Sequence, residues 1–156
     1  MMVRPATEAD LAAVVALGQV MHAEAPALND IAFNAEKVER TLRAALDPAY
    51  GAVFVHETDG VIDGAFAWAL IEFWFSDAEM ATDLGLFVRP GRRGGFIAHL
   101  LVERFIDWCE GKGVDWMRIG ITTGVSPEQT GKFYEREGFQ FIGGNYQMRL
   151  NGHGVR

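Results

Sequence analysis

Two runs of strand-type sequence flank Asp59-Gly60, and no other local signal constrains the fold as much. Ala52 to Glu57 alternates as a strand, and a long apolar, aromatic run extends from Val61 to Phe75. Asp-Gly between such runs favours a two-residue hairpin, because a type I′ turn needs positive φ at both central positions. The chain is therefore expected to build on an antiparallel pair, with Gly64 marking a bulge in the second strand. Its 156 residues suit one domain, spanning 1–156. With 49% hydrophobic and 22% charged residues, the chain can fill a single core and does not resemble disordered sequence.

Other elements assemble around that pair. Met2 to Arg4 reads as a short strand. Thr7 caps a helix, with Asp10 completing an approximate capping box, and Leu11, Val14, Leu17 and Met21 share one face. Pro26 ends that pattern. Asn34 caps a second helix with Val38, Leu42 and Leu46 inward, closed by Pro48. Thr82 to Val88 is a strand, followed by a helix on which Ile97, Leu101, Phe105 and Trp108 point inward and His99, Glu103, Asp107 and Glu110 outward. Gly111 or Gly113 stops it. Val114 to Ile121 is a strand. Ser126-Pro127-Glu128-Gln129 starts a helix with Ser at the N-cap and Pro at the first helical position, and Gly138 ends it. Short strands at Phe139 to Ile142 and Tyr146 to Leu150 close the chain. The order βααβββαβαββ implies an α/β (α+β) fold: a mixed, mostly antiparallel central sheet with helices on both faces.

Composition excludes several classes. There are 14 Lys and Arg against 21 Asp and Glu, a net charge of −7, so nucleic acid is not an expected partner. No stretch approaches the ~20 apolar residues of a membrane span, so no membrane partner is expected either. Arg4, Glu8 and Asp10 precede the first apolar stretch, unlike a signal peptide. The single cysteine, Cys109, forms no internal disulfide and fits a reducing cytoplasm; beside Trp108 it reads as a small core residue. His22, His56, His99 and His153 lack metal-ligand spacing, so no metal is expected. Trp68, Trp74, Trp108 and Trp116 read as core or interface residues.

Chemistry concentrates in two segments. Arg89-Pro90-Gly91-Arg92-Arg93-Gly94-Gly95 leaves a strand and opens a helix. The first N–H groups of a helix lack internal partners and carry partial positive charge. Glycines allow a ligand to approach that backbone, and the arginines add charge, which together make a pyrophosphate cradle. Neither G-x-G-x-x-G nor G-x-x-x-x-G-K-[ST] occurs. The second segment is Phe133-Tyr134-Glu135-Arg136-Glu137-Gly138-Phe139, where a positioned Tyr134 could protonate a leaving thiolate.

In this order the two segments resemble the GNAT acetyltransferase superfamily, and the resemblance covers nearly the whole chain. Val3 to Asp10 resembles the family's first strand and helix start. Val88 to Gly95 resembles its acetyl-CoA loop, of pattern [Gln/Arg]-x-x-Gly-x-[Gly/Ala], and Phe133 to Phe139 resembles its second signature. With Arg92 and Gly95 at the first two motif positions, the third falls on Ile97, and Ala98 comes one residue later. The Arg-Gly-Gly loop is most similar to a phage-borne or bacterial subgroup.

The resemblance implies direct transfer of an acetyl group from acetyl-CoA, the expected cofactor, to a primary amine. Leu86, Phe87 and Val88 would pair with the pantetheine arm. Arg92, Arg93, Gly94, Gly95, Phe96, Ile97 and Ala98 would bind the pyrophosphate, with Phe133 also in the coenzyme site. Tyr134 would be the general acid, and a base is required because the amine must attack in its neutral form. Asp83 is the first candidate for that base and Glu79 the second. His22 and Glu24 follow the first helix, where the family often builds its acceptor pocket. The acceptor is expected to be a small-molecule or protein amine, and a homodimer is left open. A non-catalytic acyl-CoA-binding module of the same fold is the alternative.

Overall fold

The computed structural model describes residues 2–151. Its elements are β1 (Met2–Pro5), α1 (Leu11–Glu24), α2 (Ala35–Ala45), β2 (Gly51–Thr58), β3 (Val61–Glu72), β4 (Glu79–Val88), α3 (Phe96–Lys112), β5 (Trp116–Arg118) and α4 (Pro127–Arg136). A 3-10 turn, Glu8–Asp10, precedes α1. The five strands lie in sequence order; β1 to β4 pair antiparallel and β5 joins β4 in parallel. The Asp59-Gly60 hairpin forms as expected, with both residues at positive φ.

Helices cover both faces. On one, α1 and α2 pack Leu11, Val14, Leu17 and Leu42 against Val53, Val55, Ala65 and Phe87. On the other, α3 packs Ile97, Leu101, Phe105 and Cys109 against Phe54, Phe66 and Trp68. This explains why β2 is buried on both sides instead of alternating with solvent. Trp68 is the largest fully buried residue, stacked 5.4 Å from Phe54 and meeting Phe66 and Phe105 at 5.2 and 4.6 Å. Gly64 lets α3 approach the sheet: a Cβ there would lie 2.6 Å from the Ile97 side chain.

The entry into α1 is held by charge. Arg4 bridges Asp10 at 2.7 Å and Glu57 at 2.8 Å, and Asp10 also accepts the Thr7 N–H at 2.7 Å. The Arg4 hydrogen bond, opposed by burial and aided by Thr7, holds the Asp10 carboxyl down at about 2. Asn34 caps α2 by accepting the Lys37 N–H at 2.9 Å.

Three sequence expectations need correction. Ser126 does not cap α4 through its side chain: it sits at φ +40, and no side-chain cap bond forms. β5 is three residues long instead of running from Val114 to Ile121, because β4 and the chain beyond Arg118 separate. The two closing strands are absent among the described residues. The segment 140–150 is exposed throughout and tied back by Gln147 donating to the Ala27 carbonyl and by Arg149 pairing with Asp30. Phe141, Ile142, Tyr146, Met148 and Leu150 all face solvent. Of the tryptophans, Trp74 and Trp116 are exposed and belong to no core.

Candidate active site

An irregularity in β4 opens the site. Trp68 of β3 pairs with Asp83, and Ala67 pairs with Gly85, so Leu84 is an extra residue. Such a bulge bends its strand and increases local twist. β5 accompanies β4 only from Met80 to Thr82. Past that point the two segments part, and a cleft of about 700 Å³ opens between them. Asp83 to Leu86 and Val88 form one wall, and Gly120 to Thr123 form the other. Met21 and Glu24 of α1, Phe133 and Tyr134 of α4, and Arg93, Gly94, Gly95 and Ala98 close the ends.

Asp83 and Tyr134 converge on one residue, Gly120, through its two backbone polar groups. Asp83 Oδ1 accepts the Gly120 N–H at 3.1 Å, and the Tyr134 hydroxyl donates to the Gly120 carbonyl over a long 3.4 Å. Burial pushes the Asp83 carboxyl up to about 6, against the opposing pull of the Gly120 N–H. Burial, and then the charge of Asp83, pushes the Tyr134 hydroxyl above the ordinary tyrosine value. The site thus holds a carboxylate that titrates near neutrality beside a phenol kept protonated, a pairing suited to proton transfer. Glu79 stands at the far end of β4, where its N–H donates to Asp115, and it does not line the cleft.

The glycine-arginine loop divides its two arginines. Arg93 reaches the cleft, donating to Glu24 at 2.7 Å and to the Val88 carbonyl at 3.0 Å. Arg92 turns away from it, toward Asp63 at 3.1 Å and Thr58 at 3.2 Å. Gly94 and Gly95 have φ of +148 and +93, and Cβ atoms there would point into open space. These positions favour glycine on conformational grounds and leave the backbone accessible to a ligand.

Counted from Arg93, the arginine that lines the cleft, the motif positions fall one residue later. With Arg93 in first place, Phe96 takes the glycine position and Ala98 the closing Gly/Ala position, and Arg93 and Ala98 both line the cleft. Four residues expected at the coenzyme do not line the cleft. Arg92 belongs to the Asp63 cluster, Phe87 faces the α1 layer, and Ile97 is buried in the α3 layer. Phe96 is exposed outside the cleft. Alternation explains Phe87, since Leu86 and Val88 face the other way. His22 packs on Phe33 with ring centroids 5.2 Å apart and also lies outside the cleft, whereas Glu24 lines it. Sequence reasoning missed Gly120, which carries both contacts through its backbone and so leaves no side-chain signal.

The chain belongs to the acetyltransferase (GNAT) family, whose model matches residues 18–139. No curated protein matches the chain. Among solved structures, it is similar to a ribosomal-protein-alanine N-acetyltransferase from Brucella melitensis, at 23% identity and a TM-score of 0.75, over 92% of this chain and 86% of the other. A predicted acetyltransferase from Clostridium acetobutylicum, solved with acetyl-CoA, matches at 17% identity and a TM-score of 0.72, over 96% and 95%. An aminoglycoside acetyltransferase from an uncultured soil metagenomic sample matches at 17% identity and 0.69, over 96% and 98%. At these identities the neighbours establish the fold. No helix among the described residues is long and apolar enough to cross a membrane.

Proposed function

We propose that this protein is an N-acetyltransferase that moves an acetyl group from acetyl-CoA to a primary amine in one direct step within a ternary complex. The observation that carries this reading is the meeting of Asp83 and Tyr134 at Gly120, inside the cleft that the Leu84 bulge opens. Acetyl-CoA supplies an activated acyl group. On the edge away from β3, the β4 backbone from Leu84 to Val88 faces the cleft without a partner strand and would pair there with the pantetheine amides. Arg93 and the N–H groups around Gly94, Gly95 and the start of α3 would meet the pyrophosphate.

Asp83 serves as the base. An alkylammonium has a pKa of about 10, and raising the carboxyl from 3.8 to about 6 narrows the gap it must bridge. It remains ionised at neutral pH and takes the amine proton directly or through water. Tyr134 acts at the sulfur. Its raised pKa makes it a hydrogen-bond donor that stabilises negative charge as the thiolate leaves, more than a strong acid that delivers a proton early. Cys109 takes no part: it is buried in the α3 layer, and burial pushes its thiol up to about 12. We place the protein in the cytoplasm, where a lone thiol persists.

Glu24, on the cleft rim and paired with Arg93, would be the carboxylate to meet a cationic acceptor. The test is calorimetric titration with acetyl-CoA, followed by coenzyme A thiol release across an amine panel. Saturable binding and amine-dependent release are expected. No binding at millimolar acetyl-CoA would overturn the reading.

A further inference from the structure

The surroundings of Arg92 contain a buried polar cluster that neither the acid nor the base uses. Between His56 and Glu57 the β2–β3 register shifts, with His56 opposite Gly64 and Glu57 opposite Ile62. Asp63 is therefore the extra residue on β3, and the bulge turns its carboxylate into the protein, where the residue is only 3% exposed. Oδ1 lies 2.5 Å from Nδ1 of His56, a fully buried ring whose other nitrogen has no partner. An ionised carboxylate can only accept, so the ring proton sits on Nδ1 and points at Asp63. Oδ2 accepts from the Thr58 hydroxyl at 2.9 Å and from Arg92 Nε at 3.1 Å.

The loop is fastened to the same bulge by its backbone and by a second arginine. The Arg89 N–H donates to the Asp63 carbonyl at 2.9 Å, and the Arg89 guanidinium donates to the Ile62 carbonyl at 2.8 Å. At the adjacent Gly64, α3 packs directly on the sheet through Ile97. A buried charge held by several partners is a rigid anchor, and losing one partner leaves the other groups unpaired. Arg92, about half exposed, is the loop side chain that reaches the Asp63 carboxylate.

We infer that Asp63 is a positioning residue for the coenzyme loop, acting through Arg92 to hold Gly94, Gly95 and Arg93 in the geometry that meets the pyrophosphate. His56 orients the Asp63 carboxylate and Thr58 shares its load. The two adjacent arginines thus divide the work: Arg92 holds the loop and Arg93 faces the ligand. This inference rests on the acetyl-CoA reading for its ligand, but not for the tether itself.

The experiment combines Arg92→Gln, Asp63→Asn and the double variant. Acetyl-CoA binding is measured by calorimetry and the steady-state constants with an accepted amine. Each single variant is expected to weaken acetyl-CoA about tenfold and raise its KM alike, with kcat within about twofold of wild type. The double variant should be no worse than either single one, because both break one linkage. If Arg92 instead met phosphate directly, Asp63→Asn would leave affinity intact or improve it, and that result overturns the proposal, as does wild-type binding by Arg92→Gln. Hydrogen exchange of the ligand-free protein separates the two readings. Amides of residues 89–95 should exchange about tenfold faster in Arg92→Gln. Unchanged exchange rejects the tether even if acetyl-CoA binds, whereas faster exchange in a protein that binds no acetyl-CoA rejects only the ligand. Should Asp63→Asn fail to fold, Arg92→Gln decides alone, since its side chain is partly exposed.

Discussion

The part of the molecule up to the end of α3 and the part from β5 onward are built differently. Every buried residue of the described chain lies at or before Cys109. The first part is a sheet pressed between helices, with two apolar layers and the Arg4–Asp10–Glu57 network at its edge. The second has a three-residue strand, a helix without a buried residue, and an exposed tail. Yet Gly120 and Tyr134 belong to the second part, and Asp83 and the glycine-arginine loop to the first. The cleft lies along the seam between them. Stability therefore resides mainly in one part, whereas the proposed chemistry needs both.

The largest effect expected from this division is on stability. Trp68→Ala removes the ring that contacts Phe54, Phe66, Phe105 and Trp108. Truncating a buried aromatic costs about 3–5 kcal/mol, while a surface substitution such as Trp116→Ala should stay within about 0.5 kcal/mol. Urea denaturation of both variants measures the contrast. Comparable losses for the two would break it, by showing that β5 carries as much of the core as β3 does.

The next effect should fall on turnover without touching the fold. Tyr134→Phe keeps the ring against Phe133 and Phe139 and removes only the hydroxyl. Acid–base groups typically contribute about 10²–10⁴-fold, and the low end is expected, because a phenol with a raised pKa donates a hydrogen bond more readily than a proton. Steady-state kinetics with an accepted amine, alongside a thermal melt, should show kcat falling about a hundredfold at unchanged Tm. Unchanged kcat in a folded variant would remove Tyr134 from the mechanism.

Asp83 sits on the seam and should register in both readouts. Its carboxyl titrates near 6 in the folded protein and near 3.8 in its ordinary state, so the fold binds this proton more tightly than the unfolded chain does. Its favourable contribution is complete below pH 3.8 and is lost as pH rises through 6. At pH 7 Asp83→Asn should thus stabilise the protein, by at most about 3 kcal/mol. The kcat profile of the wild type should rise through pH 6 as the base ionises, and that limb should vanish in Asp83→Asn. A variant that is less stable at pH 7, or one that retains the limb, would assign the base elsewhere.

What the sequence revealed follows the same division. The hairpin, the helix faces and the glycine loop are local patterns of period, turn chemistry and charge, and all of them formed. The roles of Arg92 and Arg93 could not be separated locally. Which one faces the cleft depends on the positive φ at Gly91, Gly94 and Gly95 and on a carboxylate 29 residues earlier in the chain. The bulges at Asp63 and Leu84 depend on pairing register, a property of two strands together. Gly64 marked the right place in β3, one residue from the extra one. Tyr134 and Asp83 were named through the family resemblance, and their meeting at a backbone unit had no sequence signature.

The smallest effect concerns the tail, where sequence pattern and structure disagree most. Phe139 to Leu150 reads as two strands, yet Tyr146, Met148 and Leu150 stand exposed, and β5 pairs only with β4. A side chain in water contributes almost nothing to folding, because truncating it changes little apolar burial. Tyr146→Ser should therefore shift stability by less than about 0.5 kcal/mol in urea denaturation. Met148→Ser should do the same, and neither should alter acetyl-CoA affinity, since neither residue lines the cleft. A loss above about 1 kcal/mol from either substitution would mean that the segment is laid against the open edge of β5 in solution, because an edge strand is where an alternating apolar segment finds backbone partners. In that case the second part of the molecule would carry its own share of the core, and the division between framework and chemistry would be drawn at the cleft itself and not at Cys109.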